Sequence, residues 1–377
     1  MKKIIALLLA LLMIFCLAAC SNEEEEEQKK NNSSSTTEES VTTEHGTFEY
    51  GDNGDGDYEI TKYIPNPKAK NPADIKLPTT TTPDGDIKIV GIGKEAFKDM
   101  LKIKSVSIPD TYTYISDYAF YRCDNLETVT MKDSVTAIGK SAFQECVKLS
   151  SITLSKAITT VSSNAFNGCT SLTTVDLSTS CQTIEASAFI GCSNLTTVTI
   201  SDKITYVNAY AFMDCTKLEY TVENGGKYLG NKNNPHLVLA CAEALDIESC
   251  IVNDNTKLIA DRAFAYCSDL ETVTLGKSVK IINGTCFEND PTFDKYFGDE
   301  EIPEVKLSFN SWDADQAGCY LGTDENPYMV LMYIIATNND DFKLHKDTKI
   351  IADTAFENSK IKDISFDGSK ADWEAIS

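Results

Sequence analysis

Apolar and polar positions along the chain recur with a long period instead of a helical or simple strand period. The pair Ala-Phe stands at Ala96-Phe97, Ala119-Phe120, Ala142-Phe143, Ala165-Phe166, Ala188-Phe189 and Ala211-Phe212, each step being 23 residues. It returns at Ala263-Phe264, as Cys286-Phe287, and at Ala355-Phe356, three periods later. Three residues after the phenylalanine stand Cys123, Cys146, Cys169, Cys192, Cys215 and Cys267, and six after it Leu126, Leu149, Leu172, Leu195, Leu218 and Leu270. Then come Val129-x-Met131, Ile152-x-Leu154, Val175-x-Leu177 and Val198-x-Ile200, apolar residues alternating with threonine, serine or, at Asp176, aspartate as in a half-buried strand. Pairs such as Val135/Ile138, Ile158/Val161 and Ile204/Val207 add a second buried edge before the next phenylalanine.

Each period therefore predicts a short strand, an extended return, and a turn or short helix carrying Ala-Phe-x-x-Cys. One turn cannot close a core by itself; neighbours stacked about 4.8 Å apart can, with the phenylalanines as an internal spine. The expected fold is an α/β repeat solenoid, a leucine-rich-repeat-type coil with one short parallel strand per 23-residue turn. These residues resemble the BspA-like leucine-rich repeat proteins of bacterial surfaces. The repeat, approximately Leu-x-x-Ile-x-Ile-Pro-x-x-Val-x-x-Ile-x-x-x-Ala-Phe-x-x-Cys, covers residues 87–365 apart from two interruptions, and its proline survives only as Ile108-Pro109. The resemblance implies a non-catalytic, surface-displayed protein that binds macromolecules along an extended face.

The interruptions, near 223–250 and 291–342, are themselves a repeat. Tyr228-Leu229-Gly230 with Asn234-Pro235-His236 matches Tyr320-Leu321-Gly322 with Asn326-Pro327-Tyr328, at an offset of 92 residues, or four periods. The same comparison sets His236 against Tyr328 and His345 against Asn253, which removes both histidines as catalytic candidates. Residues 87–377 form the expected solenoid. Residues 47–86 lack the period; Thr47–Tyr50 and Tyr58–Thr61 flank a Gly/Asp/Asn turn and predict an N-terminal β-hairpin cap. Residues 366–376 begin an amphipathic cap that stops one residue later, the expectation for a truncated reading frame.

Composition changes the picture mainly by exclusion. The formal charge of −23 disfavours a nucleic-acid partner. With three scattered histidines, and arginines only at Arg122 and Arg262, no acid/base pair, nucleophile motif or phosphate loop emerges. No cofactor and no metal are expected. Aligning Gly51–Asp57 as a calcium loop fails, because Gly51 and Lys62 would fall where oxygen ligands are needed.

The N-terminus carries the address. Lys2 and Lys3 precede an apolar run of 14 residues, Ile4 to Leu17, too short to span a bilayer comfortably. It ends in Leu17-Ala18-Ala19-Cys20, which resembles a bacterial lipobox. The resemblance implies a lipid anchor at Cys20 holding the exported chain to the membrane; the competing reading is an ordinary secretory signal. Residues 1–20 are thus expected to be a lipoprotein signal peptide and 21–46, with Glu23–Glu27 and a Ser/Thr run, a disordered acidic linker.

In an exported chain the register of cysteines from Cys123 to Cys215 fits either buried free thiols or a ladder of bridges, and Met100 in the same row favours a soft apolar site. The outward strand positions hold Ser105/Ser107, Thr128/Thr130, Ser151/Thr153, Thr174/Asp176, Thr197/Thr199 and Thr272/Thr274. Threonine is a good exposed strand former, and the same row is a flat hydroxyl array that can face a protein or glycan. Tyr206, Tyr210 and Tyr220 beside the first interruption form a candidate aromatic hot spot, with Tyr114, Tyr118 and Tyr121 as a second group. The candidate binding residues are Thr128, Thr130, Thr153, Thr174, Thr197, Thr199, Tyr206, Tyr210 and Tyr220. Adhesion to host protein, matrix or glycan is the leading reading. A structural or scaffolding lipoprotein of the cell envelope is its rival, and an enzyme or transport accessory using the interruptions comes third.

Overall fold

A computed structural model describes residues 39–69, 73–79, 88–267, 269–283, 286–287, 311–313, 318–321, 330–334, 341–352, 355–356, 361–366 and 368–376. All of them fall in one compact unit formed by 39–289 and 303–377. The signal segment, Cys20, the linker up to residue 38 and most of the second interruption lie outside the described residues.

The period becomes a parallel β-solenoid. A first strand pairs in register with a copy 23 residues away: Ser105–Ser107 with Thr128–Thr130, Thr128–Thr130 with Ser151–Thr153, and Thr174–Leu177 with Thr197–Ile200. A second, two-residue strand does the same on the return, as at Tyr114–Ile115, Ala137–Ile138, Thr160–Val161, Thr183–Ile184 and Tyr206–Val207. The Ala-Phe corner stacks by main chain as well. The amides of Phe97, Phe120, Phe143, Phe166 and Phe189 donate to the alanine carbonyl of the following turn at 2.8–2.9 Å.

Inside, the rings of Phe97, Phe120, Phe143, Phe166, Phe189 and Phe212 stack with centroids 4.9–5.5 Å apart. This aromatic column is almost wholly buried and carries much of the apolar area that holds successive turns together. Tyr63 and Phe48 extend it at the N-terminal end, at 5.3 Å and 4.8 Å. The helical share of the expected α/β architecture is small. Phenylalanine corners are turns or, once, the 3₁₀ helix Ala209–Phe212, and the one α-helix among the described residues is Lys370–Glu374, opened by a Ser369/Asp372 capping box. Of the turn or short helix expected at the corner, the turn prevails, with Tyr118, Ser141, Asn164 and Ser187 at positive φ.

The expected linker boundary is corrected by strand Glu39–Thr42, which pairs antiparallel with Gly46–Asp52, so residues 39–42 belong to a sheet and 43–45 form its turn. Phe48 and Tyr50, buried on the neighbouring strand, anchor that sheet.

One relation was hidden in the sequence. Gly46–Asp52 and Tyr58–Pro65, Gly226–Leu229 and Val238–Ala242, and Gly318–Leu321 and Val330–Ile334 are three antiparallel pairs. Each has one register shift at the same place, so that Tyr50 faces Ile60, Tyr228 faces Leu239 and Tyr320 faces Leu331. Each then passes its last strand into the coil: Gly93, Ala260 and Ala352 donate to the carbonyls of Ile60, Leu239 and Leu331 at 2.8–3.0 Å. The N-terminal hairpin and the two interruptions are thus the same element, each opening a new run of turns.

Candidate binding surface

The outward strand face is built as the alternation predicts. Val129 and Val175 point into the core, while Thr128, Thr130, Thr153, Thr174, Asp176 and Thr197 are exposed. Register pairing puts Thr128 beside Ser151, Thr130 beside Thr153 and Thr174 beside Thr197. The row is tied within itself: the Thr130 hydroxyl donates to Ser107 at 3.4 Å, and Ser105 donates to the Asp74 carboxylate at 2.6 Å. Two other rows of hydroxyls serve stacking: Thr113 and Thr136 in one, and Thr173 and Thr196 in the other, each donate to a carbonyl one turn back. Hydroxyl-rich turns thus divide into rows tied to the previous turn and a face turned to solvent.

Thr199 is only half exposed. The first interruption returns over it, Gly230 forming a parallel bridge with Thr199 and accepting the Ile200 amide at 2.9 Å. Beyond it the face turns aliphatic, with Val222 and Ile251 about half exposed.

The aromatic hot spot does not assemble. Tyr220 packs against the core, and burial raises its phenol far above the ordinary value. Tyr206 and Tyr210 lie instead at a polar seam between the first run and the next. Lys257 donates to the carbonyls of Asp202 and Ile204 at 2.6 and 3.0 Å, and the Asp261 amide donates to Val207 at 3.0 Å. The buried Asp261 carboxylate accepts from Asn208 at 2.7 Å and from the Tyr206 hydroxyl at 3.3 Å, while the Arg262 guanidinium stands 6.0 Å from the Tyr210 ring centroid. The physical reason is that the interruption closes on itself as a hairpin and brings 257–262 back beside 202–210. Tyr114 makes the matching seam at the other end, donating to Glu59 at 2.8 Å and accepting from Asn53 at 3.2 Å. Tyr118 and Tyr121 form an edge-on pair at 5.8 Å with Lys98 over the Tyr121 ring.

The cysteine row is one of buried free thiols. Each of Cys123, Cys146, Cys169, Cys192 and Cys215 donates its thiol to the phenylalanine carbonyl of the preceding turn, at 3.0–3.1 Å. Burial pushes Cys123 up to about 12 and Cys146 and Cys169 well above 9.0; for Cys192 the Cys215 thiol contact leads and burial follows. Such thiols are poor nucleophiles and metal ligands. Among the described residues no group of three or more His, Cys, Asp or Glu side chains is placed to hold a metal, and no helix is long and apolar enough to cross a membrane.

Fold and surface together define a bacterial-type leucine-rich repeat solenoid with an outward hydroxyl face. The BspA type leucine rich repeat region matches in six copies over residues 90–219 and 240–306, more than half of the chain, and the protein belongs to that family. Among solved structures, a leucine rich cell surface protein from Faecalibacterium prausnitzii is 22% identical, with 91% of this chain and 99% of that chain covered and a TM-score of 0.41. A leucine rich repeat protein from T. pallidum is 22% identical over 66% of this chain and 91% of its own, TM-score 0.36. The pneumococcal vaccine antigen PcpA is 13% identical over 90% of both chains, TM-score 0.36. No curated protein matches the chain.

Proposed function

We propose that this chain is a non-catalytic lipoprotein displayed on a bacterial surface, anchored through Cys20, which binds a host protein, matrix component or glycan along its outward strand face. The observation that carries the reading is the exposed hydroxyls in two in-register sets, Thr128 and Thr130 beside Ser151 and Thr153, and Thr174 beside Thr197, on a stacked coil. Such a face offers many weak, similar contacts whose sum gives affinity without a pocket. The N-terminal hairpin acts as a cap, its Phe48 and Tyr63 closing the end of the aromatic column.

The test is retention of the full chain on immobilised matrix proteins, mucins and glycans, beside a variant carrying Thr128→Lys, Thr174→Lys and Thr197→Lys. Each exposed position alone tolerates substitution within about 0.5 kcal/mol, but the lysines at 174 and 197 stand side by side and repel, so a urea midpoint is measured to confirm that the variant is folded. Saturable retention lost in the variant supports the reading. Retention unchanged in the variant removes the hydroxyl row from it, and no retention on any surface leaves the envelope scaffold as the better account.

A further inference from the structure

The stacking of turns is interrupted once within the first run. Strand Ser151–Thr153 ends one sheet and Thr174–Leu177 begins the next, while on the return Ala137–Ile138 ends a sheet and Thr160–Val161 opens another. One turn is therefore split between its neighbours, its first strand held backward and its second held forward. The sequence gives the reason. In the row Val135, Ile158, Ile204 the fourth member is Cys181, smaller by most of a branched side chain. Beside it the apolar inward pair loses its cover: Val129/Met131, Val175/Leu177 and Val198/Ile200 are buried, but Ile152 and Leu154 are only partly so.

The result is a cleft of about 290 Å3 between the two turns. Ile152, Leu154, Ile158, Leu177 and Cys181 give it an aliphatic wall, and Thr153, Ser155, Thr179, Asp176 and Lys156 a polar one. The Ser178 amide holds Asp176 Oδ1 at 2.9 Å and fixes that carboxylate. The size lies near the lower end of small-molecule sites, roughly 300–1,000 Å3, and admits one ring and not a chain. Its one acid and one base balance, so neither an anion nor a cation is favoured. Its walls carry no aromatic ring on which a planar base would stack. Hydroxyls, one carboxylate and one ammonium against an aliphatic wall complement a ring with hydroxyls on its edge and C–H groups on its face.

We propose that this cleft binds a neutral monosaccharide unit, as a subsite of the glycan-binding form of the proposed function, on which it rests. The full chain is titrated with neutral hexoses and N-acetylhexosamines by saturation-transfer NMR and calorimetry. N-acetylneuraminic acid, glucosamine and free leucine serve as anionic, cationic and zwitterionic probes. Cys181→Ile restores the residue type of its row and fills the cleft, and Asp176→Asn removes the charged acceptor with little change of shape. A urea midpoint confirms that each variant is folded.

The expected result is saturable binding of a neutral sugar that weakens about tenfold or more in both variants, a loss near 1.4 kcal/mol. No binding of any neutral sugar, unchanged binding in Cys181→Ile, or a charged or zwitterionic probe binding more tightly overturns the proposal. Retention on mucin or matrix separates the two ideas. Retention of wild type and Cys181→Ile alike, with no free sugar bound, sinks the cleft and keeps the surface reading; sugar binding without retention does the reverse.

Discussion

The cysteine row makes the protein labile to mild alkali, and the size of the effect follows from its burial. The thiols of Cys123, Cys146, Cys169 and Cys192 stay protonated in the folded chain well above 9.0, the value at which they ionise when exposed. Above that pH the unfolded chain binds fewer protons than the folded one, so stability falls as pH rises. The contribution is fully present below pH ~9 and is lost on the way to the folded value, about 12 for Cys123. At pH 10 each thiol has given up roughly 1.4 kcal/mol, and four together about 5–6 kcal/mol. A domain of ordinary stability has about 5–15 kcal/mol in total. Urea denaturation followed by far-ultraviolet circular dichroism from pH 7 to 10, in reductant, should show a flat midpoint to pH ~8.5 and then a steep decline. Burial raises Cys181, Cys241, Cys250 and Cys267 as well, so Cys146→Ala, which lowers the midpoint at every pH, removes one of eight titrating thiols and reduces the alkaline slope by about an eighth. A midpoint that stays level to pH 10, or a slope unaffected by Cys146→Ala, refutes the reasoning.

Other expectations follow from packing. Phe166→Ala removes a ring stacked at 5.5 and 5.3 Å on its two neighbours and should cost about 3–5 kcal/mol by urea denaturation, against less than 0.5 kcal/mol for Thr128→Ala. Asp261→Ala takes away the buried acceptor of Asn208 and Tyr206 and should cost about 2 kcal/mol, with faster proteolysis of the 213–256 segment as the direct readout. Gly230→Ala places a Cβ against the Asn234 carbonyl and should loosen the strand edge at Thr199, seen as faster amide exchange of Ile200.

The coil was legible because its signal is repeated. An Ala-Phe pair recurring six times in five equal steps determines which side chains share a row, and rows become the aromatic column, the thiol ladder and the hydroxyl face. Whether the Ala-Phe corner is a turn or a short helix stays open in the sequence, because period says nothing about how tightly a corner closes. Tyr206, Tyr210 and Tyr220 are drawn apart because the segment after them folds back and occupies that edge, a contact between positions 55 residues apart. A cue was present in Asn224-Gly225, the residues of a tight hairpin, here with φ of 47° and 86°. Kinship among the N-terminal hairpin and the two interruptions was not visible, because it resides in a shared strand register and bulge and only a tyrosine is common to all three.

Those three hairpins also bear on how the chain reaches its structure. A parallel rung must close 23 residues of chain before its first bond, whereas Gly46–Asp52 meets Tyr58–Pro65 across a loop of only five. The difference in closure entropy is about 1.3 kcal/mol. Each hairpin ends in a strand that already presents its bonding edge to the first rung of its own run. The coil therefore has three internal starting points for folding, placed ahead of the turns they template. Growth can proceed from each as the chain emerges, without waiting for the far end to be made.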